Sequence, residues 1–307
     1  MSAPVCAHAS LTVLIGEPFG NFGTMMPVGH AAVYLDRVCA DGPLKLRMCR
    51  PGENAGVVVA RYHSLGPYDW MATPILQFLY ATDRPEEVPA YVTATRVWEM
   101  RQSYRRSSLL AIVPDGSEKG GAMGEWWETV GMAYNRTLWG YRVDTTEEQD
   151  ERFVARMNAD PNRHMYRLGG ANCANFAADV VTFFLPSAVP RGGRAADFGV
   201  MTPKQLARSL GSYGATHPEV HLRILKVPQV AGDLRRSRPL RGGAEALLKT
   251  KRYLATLLVI QPEVPLALWA VYRKHGRWTI GEGAETAAAA DFVHPVPAGG
   301  DTILAAR

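Results

Sequence analysis

Asn172-Cys173-Ala174-Asn175-Phe176-Ala177-Ala178-Asp179-Val180-Val181-Thr182-Phe183-Phe184 (NCANFAADVVTFF) is the stretch on which the reading of this chain turns. Phe176, Val180 and Phe183/Phe184 recur at helical spacing and predict a helix with one face turned to a core. Gly169-Gly170 supplies a flexible entry, and Pro186 ends the segment. Cys173 therefore falls in the first turn. There the unsatisfied N–H groups and the helix dipole stabilise a thiolate and lower its pKa. A thiolate that attacks an acyl group needs a general acid/base, and histidine is the usual one. A single cysteine is more often a small core residue, so the rest of the chain has to supply the partner.

Upstream the chain reads as β. Leu11–Gly16 (LTVLIG), Gly29–Leu35 (GHAAVYL), Leu44–Met48 (LKLRM) and Gly56–Tyr62 (GVVVARY) are short apolar runs. Turns such as Ala40-Asp41-Gly42-Pro43 join them into an expected antiparallel meander, and 17–28 reads as a Gly/Pro-rich loop. His30 follows Gly29 at the start of its strand, where an imidazole is presented at a sheet edge.

The middle reads as helical. Thr73–Ala81 has Pro74 at a first helical position, and Pro89–Ser107 carries Arg96, Arg101, Arg105 and Arg106 as an expected solvated face. Glu125–Thr137 and Thr146–Ala159 are further expected helices, the second opening on a Thr cap followed by acids. Trp126, Trp127, Trp139 and Tyr141 read as core aromatics, with a substrate groove as the alternative. Beyond the Cys helix, Thr202-Pro203 opens a short helix to Leu210. Leu222–Pro228, Leu254–Gln261 and Leu266–Arg273 read as strands. The stretch 232–243 (GDLRRSRPLRGG) is linker-like and basic, a solvated loop on its simplest reading.

Composition bounds the rest. The chain has 307 residues, 47% hydrophobic and 21% charged, enough apolar surface for a sizeable core. A net charge of +5 lacks the dense Lys/Arg blocks of a nucleic-acid reader, so no nucleic-acid partner is expected. Tyr253–Tyr272, the longest apolar run, is interrupted by Gln261, Pro262, Glu263 and Pro265, so no transmembrane segment is expected. Ala7-His8-Ala9 before Ser10 has the form of a cleavage site; the compartment stays open, with a lean toward an exported, periplasmic protein.

Cys6, Cys39 and Cys49 lack zinc-site spacing, and no metal is expected. Cys39 and Cys49 flank a hairpin and can pair in an oxidising compartment, free buried thiols being the default. His8, His164, His217, His221, His275 and His294 form no HExxH or close His-carboxylate cluster. No P-loop, Gly-x-Gly-x-x-Gly or Gly-x-Ser-x-Gly occurs, and no cofactor is expected.

The pair GHAAVYL (29–35) and NCANFAADVV (172–181) resembles the circularly permuted branch of the NlpC/P60 papain-like superfamily, in which the His strand precedes the Cys helix. The Asn-Cys-x-x-Phe start is similar to the helix of lecithin:retinol acyltransferase-like proteins and to the Asn-Cys segment of the Lnb N-terminal domain (DUF4105) proteins. The match covers about 20 residues directly, plus the order of the elements between.

The resemblance implies an α+β protein, an antiparallel sheet packed against the Cys-bearing helix. The elements themselves read as a catalytic domain over 10–230 with a helical insert at about 64–165, longer than in compact family members, then a linker and β-rich C-terminal extension over 231–307. The resemblance implies Cys173 as nucleophile and His30 as base, with Asn172 shaping an oxyanion turn or simply capping the helix. A third polar residue usually orients the base; His63 is the candidate, with a surface role as its alternative. The implied reaction is hydrolysis of a peptide or cell-wall amide, or acyl transfer to or from a lipid, through one thioester. A non-catalytic binding protein that keeps the fold is the remaining reading.

Overall fold

The computed structural model describes residues 9–20, 28–53, 56–63, 65–116, 126–163, 166–167, 169–190 and 197–293. Cys6, the Ala7-His8-Ala9 tripeptide as a unit, His164, His294 and most of the 17–28 loop lie outside them.

Short β-rich sequences open the chain. Ala9–Gly16 (β1) and His30–Leu35 (β2) pair antiparallel, with Leu11 opposite Leu35 and Gly16 opposite His30. Val38–Ala40 (β3) and Leu46–Met48 (β4) form a side hairpin, while Val57–Ala60 (β5) and Met71–Pro74 (β6) continue from β2. Ile75–Tyr80 (α1), Tyr91–Val92 (β7), Ala94–Tyr104 (α2) and Met132–Asn135 (α3) follow. Leu138–Thr145 (β8) then enters the sheet on the far side of β1. Glu147–Ala159 (α4), Cys173–Phe184 (α5) and Pro203–Thr216 (α6) precede Arg223–Val227 (β9), which extends the sheet beyond β8. The last elements are Ala231–Gly232 (β10), Gly243–Lys249 (α7), Lys251–Ile260 (α8), Glu263–Val271 (α9) and Glu285–Thr286 (β11).

The main sheet has the order β11-β9-β8-β1-β2-β5-β6, antiparallel except for the β11–β9 edge. Helices cover both of its faces. Leu11, Val13, Ile15, Ala31, Val33 and Leu35 pack with Ala174, Ala177, Val181 and Phe184 of α5 and Leu206 and Leu210 of α6. Leu14, Ala32, Tyr34 and Val58 pack on the other face with Ile75 and Phe78 of α1, Val97 of α2 and Tyr134 of α3. Burial on both faces is why β1, β2 and β5 read as unbroken apolar runs rather than alternating ones.

The strand neighbours β1, β2 and β5 and the Cys helix stand where the sequence places them, whereas Leu46–Met48 pairs with β3 outside the main sheet and further expectations differ. The C-terminal extension is helical, not β-rich: 251–260 and 263–271 are α8 and α9. An apolar run without period-two alternation suits either element, and Pro265 sits in a first turn, where proline is tolerated. Among the described residues of this region, Glu285–Thr286 alone joins the main sheet, on β9.

The insert at about 64–165 is not purely helical either, since it supplies β6 and β8, and β8 lies between β1 and β9. Glu125–Thr137 holds only a 3-10 turn at Trp126–Thr129 and the one-turn α3, divided by Gly131 at φ 66°. Arg101 and Arg105 of the supposedly solvated face are buried. Arg101 donates to Val130 O at 2.8 Å and Gly131 O at 3.1 Å, and Arg105 to Val113 O at 2.9 Å, so each guanidinium ties α2 to the chain beyond it. Lastly, Cys39 and Cys49 form a disulfide across the β3–β4 hairpin, instead of remaining free.

Thr146 caps α4 with a capping box, as its sequence implies, and the Thr202–Pro203 helix runs past Leu210 to Thr216. Among the described residues no helix is long and apolar enough to cross a membrane.

Candidate active site

Asn172 builds the start of α5. Its backbone is extended, and its side-chain oxygen accepts the N–H groups of Ala174 at 2.9 Å and Asn175 at 3.0 Å. The Asn175 side chain returns a bond from Asn172 N at 3.2 Å, and Asn172 Nδ2 donates to Met201 O at 3.1 Å. The capping alternative for Asn172 is thus realised. The Cys173 N–H and the Ala174 N–H, the latter shared with the Asn172 cap, are the first-turn donors beside the sulfur.

The register of the sheet brings that sulfur to β2. Asp36 N donates to Ser10 O, so the even residues of β2 bond toward β1 and the odd ones toward β5. Pairing with β5 runs from Leu35↔Val57 to Val33↔Val59 and stops. Ala31 N–H is next in line, and it lies close enough to the Cys173 sulfur to favour the thiolate. Gly29 makes the approach to this strand possible. It sits at φ 76°, and a Cβ there would lie 2.3 Å from Gly16 O.

The same alternation turns His30 to the other side of the sheet, with Ala32 and Tyr34. Its ring stacks on Tyr62 at a centroid distance of 4.2 Å. Its Nε2 is out of solvent and has no hydrogen-bond partner among the described residues, so no hydrogen bond joins it to Cys173. Burial, and secondarily the Arg136 charge, hold the His30 pKa well below the usual imidazole value. Burial likewise pushes the Cys173 thiol up to about 11, outweighing the Ala31 and Ala174 N–H groups and Arg136, which pull it down. The helix-start argument predicts the opposite sign. It fails because Cys173 is only 6% exposed, and desolvation of the anion exceeds what a few dipoles return. At neutral pH the site holds a thiol and a neutral imidazole.

Sequence reasoning missed Arg136 and Glu128. Arg136 is 3% exposed and crosses Gly16, the residue opposite His30; a Cβ on Gly16 would lie 2.7 Å from its Cδ. Its guanidinium lies over the Phe19 ring at 4.0 Å and donates from Nη2 to Glu128 Oε2 at 3.2 Å, while its buried Nε has no partner among the described residues. Glu128 O in turn accepts the Tyr62 hydroxyl at 2.8 Å. One residue of the Trp126–Thr129 turn therefore anchors both the ring under His30 and the cation beside it. Nothing local in EWWET signals this: the Tyr62 contact spans 66 residues, and the Arg136 contact crosses the Gly131 break.

His63, one residue on from Tyr62, is exposed and lies edge-on to Tyr166 at 5.5 Å. Trp126 and Tyr141 are core residues, whereas Trp127 meets Phe19 edge-on at 5.9 Å, on the flank of Arg136. The 232–243 segment packs against the same end of the sheet. Ser237 Oγ donates to Glu17 Oε2, and Leu240 lies against Gly29, leaving Arg235, Arg236 and Arg238 exposed.

One turn along α5, Phe176 and Asp179 line a cavity of about 150 Å3 with Arg61, Asp69, Arg156 and Asp160. Arg61 is bidentate to Asp69 at 2.6 Å and lies over the Phe176 ring at 5.2 Å. Cys39, Cys49 and Glu53 bring three ligand-type atoms within 4.8 Å. Their sulfurs are bonded to each other and Glu53 is paired with Arg47, so the group has no lone pairs arranged for a metal.

No protein-family model matches the chain, and no curated protein matches it. Among solved structures, the crystal structure of a type VI secretion system effector, TseH, is similar at a TM-score of 0.33 and 12% identity. That similarity covers 73% of this chain and 94% of that one, and is too slight to bear on fold or function.

Proposed function

We propose that the chain is a cysteine-dependent acyl-group enzyme of permuted papain type, a hydrolase of peptide or cell-wall amides, with Cys173 as nucleophile and His30 as base. The observation that carries this is the buried Cys173 at the start of the capped helix, with the Ala31 N–H of the His30 strand near its sulfur. The His30 imidazole, one residue before Ala31 and stacked on Tyr62, is buried with an Nε2 unpartnered among the described residues.

Because both groups are neutral at rest, the reading requires general-base activation rather than a standing thiolate–imidazolium pair. His30 turns about its side-chain torsions to take the thiol proton as sulfur attacks the acyl carbon. The tetrahedral oxyanion meets the Cys173 N–H and the positive field of Arg136. His30 then protonates the leaving amine, a thioester remains on Cys173, and water activated by the same imidazole releases the acid. The Cys39–Cys49 bond suits an oxidising, extracytoplasmic setting.

A second reading, a binding protein that keeps the fold, draws on the protonated thiol and the absence of a Cys173–His30 hydrogen bond. Acylation with a 4-nitrophenyl ester separates the two. The enzyme reading expects a stoichiometric nitrophenolate burst and a Cys173 thioester by mass spectrometry. The burst is absent in Cys173→Ala and roughly 10²–10⁴-fold slower in His30→Ala. Release of the acyl group to water marks a hydrolase, and release only to an added amine or lipid acceptor marks a transferase. No acylation of a folded protein at saturating ester would sink both enzymatic forms.

A further inference from the structure

Leu258, Val259, Ile260, Leu266 and Trp269 are between 51% and 84% exposed, and all lie on α8 and α9. These helices pack pairwise with α7 and with each other, and the turn at Gln261-Pro262 makes them an antiparallel hairpin. No residue of α8 is buried, and α9 buries only Pro265 and Leu268. The hairpin thus exposes apolar side chains on both helices around a tip that also carries Gln261 and Glu263, more apolar surface than isolated leucines produce.

Its charges are basic apart from Glu263. Lys251 and Arg252 open α8, and Arg273, Lys274 and Arg277 follow α9, so the antiparallel arrangement gathers them at the base of the hairpin. All five are exposed, and none has an ion-pair partner among the described residues. Glu263 is the only acidic residue from 250 to 281. Arg273 lies over the Trp269 ring at 5.1 Å, which places an amphipathic aromatic next to the basic collar.

We propose that the α8–α9 hairpin anchors the protein to an anionic membrane surface. Ten residues of helix rise about 15 Å. That length lets the Val259–Leu266 tip enter the ~5–10 Å headgroup–acyl boundary while the collar stays at the phosphates. Trp269 then occupies the interfacial depth that tryptophan favours. Neither helix crosses the bilayer. Charge decides against a second copy as the occupant, because two such hairpins apposed would bring like-signed collars together. An anionic lipid surface meets the apolar tip and the basic collar at once. The anchor does not depend on the chemistry assigned to Cys173.

The test is co-sedimentation of the full chain with vesicles of phosphatidylglycerol and phosphatidylethanolamine, and with phosphatidylcholine alone. Binding is expected to the anionic vesicles, to weaken with salt, and to be slight on phosphatidylcholine. Neutralising Lys251→Gln or Arg273→Gln is expected to weaken it about fivefold each. The double variant Ile260→Asp/Leu266→Asp is expected to lose it by more than tenfold with an unchanged circular dichroism spectrum. Cys173→Ala is expected to bind like the parent. Equal sedimentation of parent and double variant, no binding to anionic vesicles, or a solution dimer that the double variant dissociates would each overturn the proposal.

Discussion

At the scale of single residues, the protonation of Cys173 is the sharpest observable. A thiol pushed up to about 11 by burial is expected to alkylate slowly at pH 6. Its rate should rise about tenfold per pH unit from 7 to 10 without a plateau, as iodoacetamide labelling in a Cys6→Ser background measures. A plateau below pH 7 would show a standing ion pair instead. Tyr62, not His63, carries the His30 ring. Tyr62→Ala is therefore expected to slow Cys173 acylation tenfold or more, and His63→Ala to change it less than twofold, in the nitrophenyl ester assay. The placement of His30 at a strand start and of Cys173 in a first helical turn was legible from the local motifs. Arg136, Glu128 and the sign of the Cys173 shift were not, because they arise from contacts among segments far apart in the chain.

Elements show where local rules suffice. The Asn172 cap is written in its own sequence, since Asn175 stands three residues on to complete the box. Asn172→Ala is expected to cost about 1–2 kcal/mol, read as a lower urea midpoint, while Asn172→Asp keeps the capping oxygen and loses less. The Cys39–Cys49 bond closes a hairpin of sequence separation 10. Removing it as Cys39→Ser/Cys49→Ser is expected to cost about 3 kcal/mol by loop entropy, in the same unfolding experiment. Local rules misassign α8 and α9 for an identifiable reason. Their side chains are apolar all along, so periodicity cannot separate a strand from a helix, and no sheet edge receives them. β8 escaped notice for a different reason. Leu138, Tyr141 and Val143 are buried, yet Trp139 and Arg142 alternate with them as half-covered residues beside a glycine.

For the whole molecule, two buried titratable groups pull the pH dependence in opposite directions. Asp150, fully covered in the first turn of α4, has its carboxyl raised to about 7, first by burial and then by the Asp36 charge. A raised folded pKa means that its stability is whole below the unfolded value near 4 and is lost as pH climbs toward 7. Asp150→Asn is accordingly expected to stabilise the fold by about 2–4 kcal/mol at pH 8, with the gain vanishing near pH 4, by urea titration at each pH. His30 acts in reverse. Its lowered pKa contributes stability that is in place above about 6.5 and is lost as pH falls. By itself the sequence determined the Cys helix with its cap, the strand that carries His30 and the meander around it, because apolar spacing, turns and caps act over a few residues. Only the tertiary structure decided which face His30 takes, which ring holds it, that Cys173 rests protonated and that Cys39 meets Cys49. Burial, electrostatic field and side-chain apposition are sums over neighbours that the chain brings together from far apart.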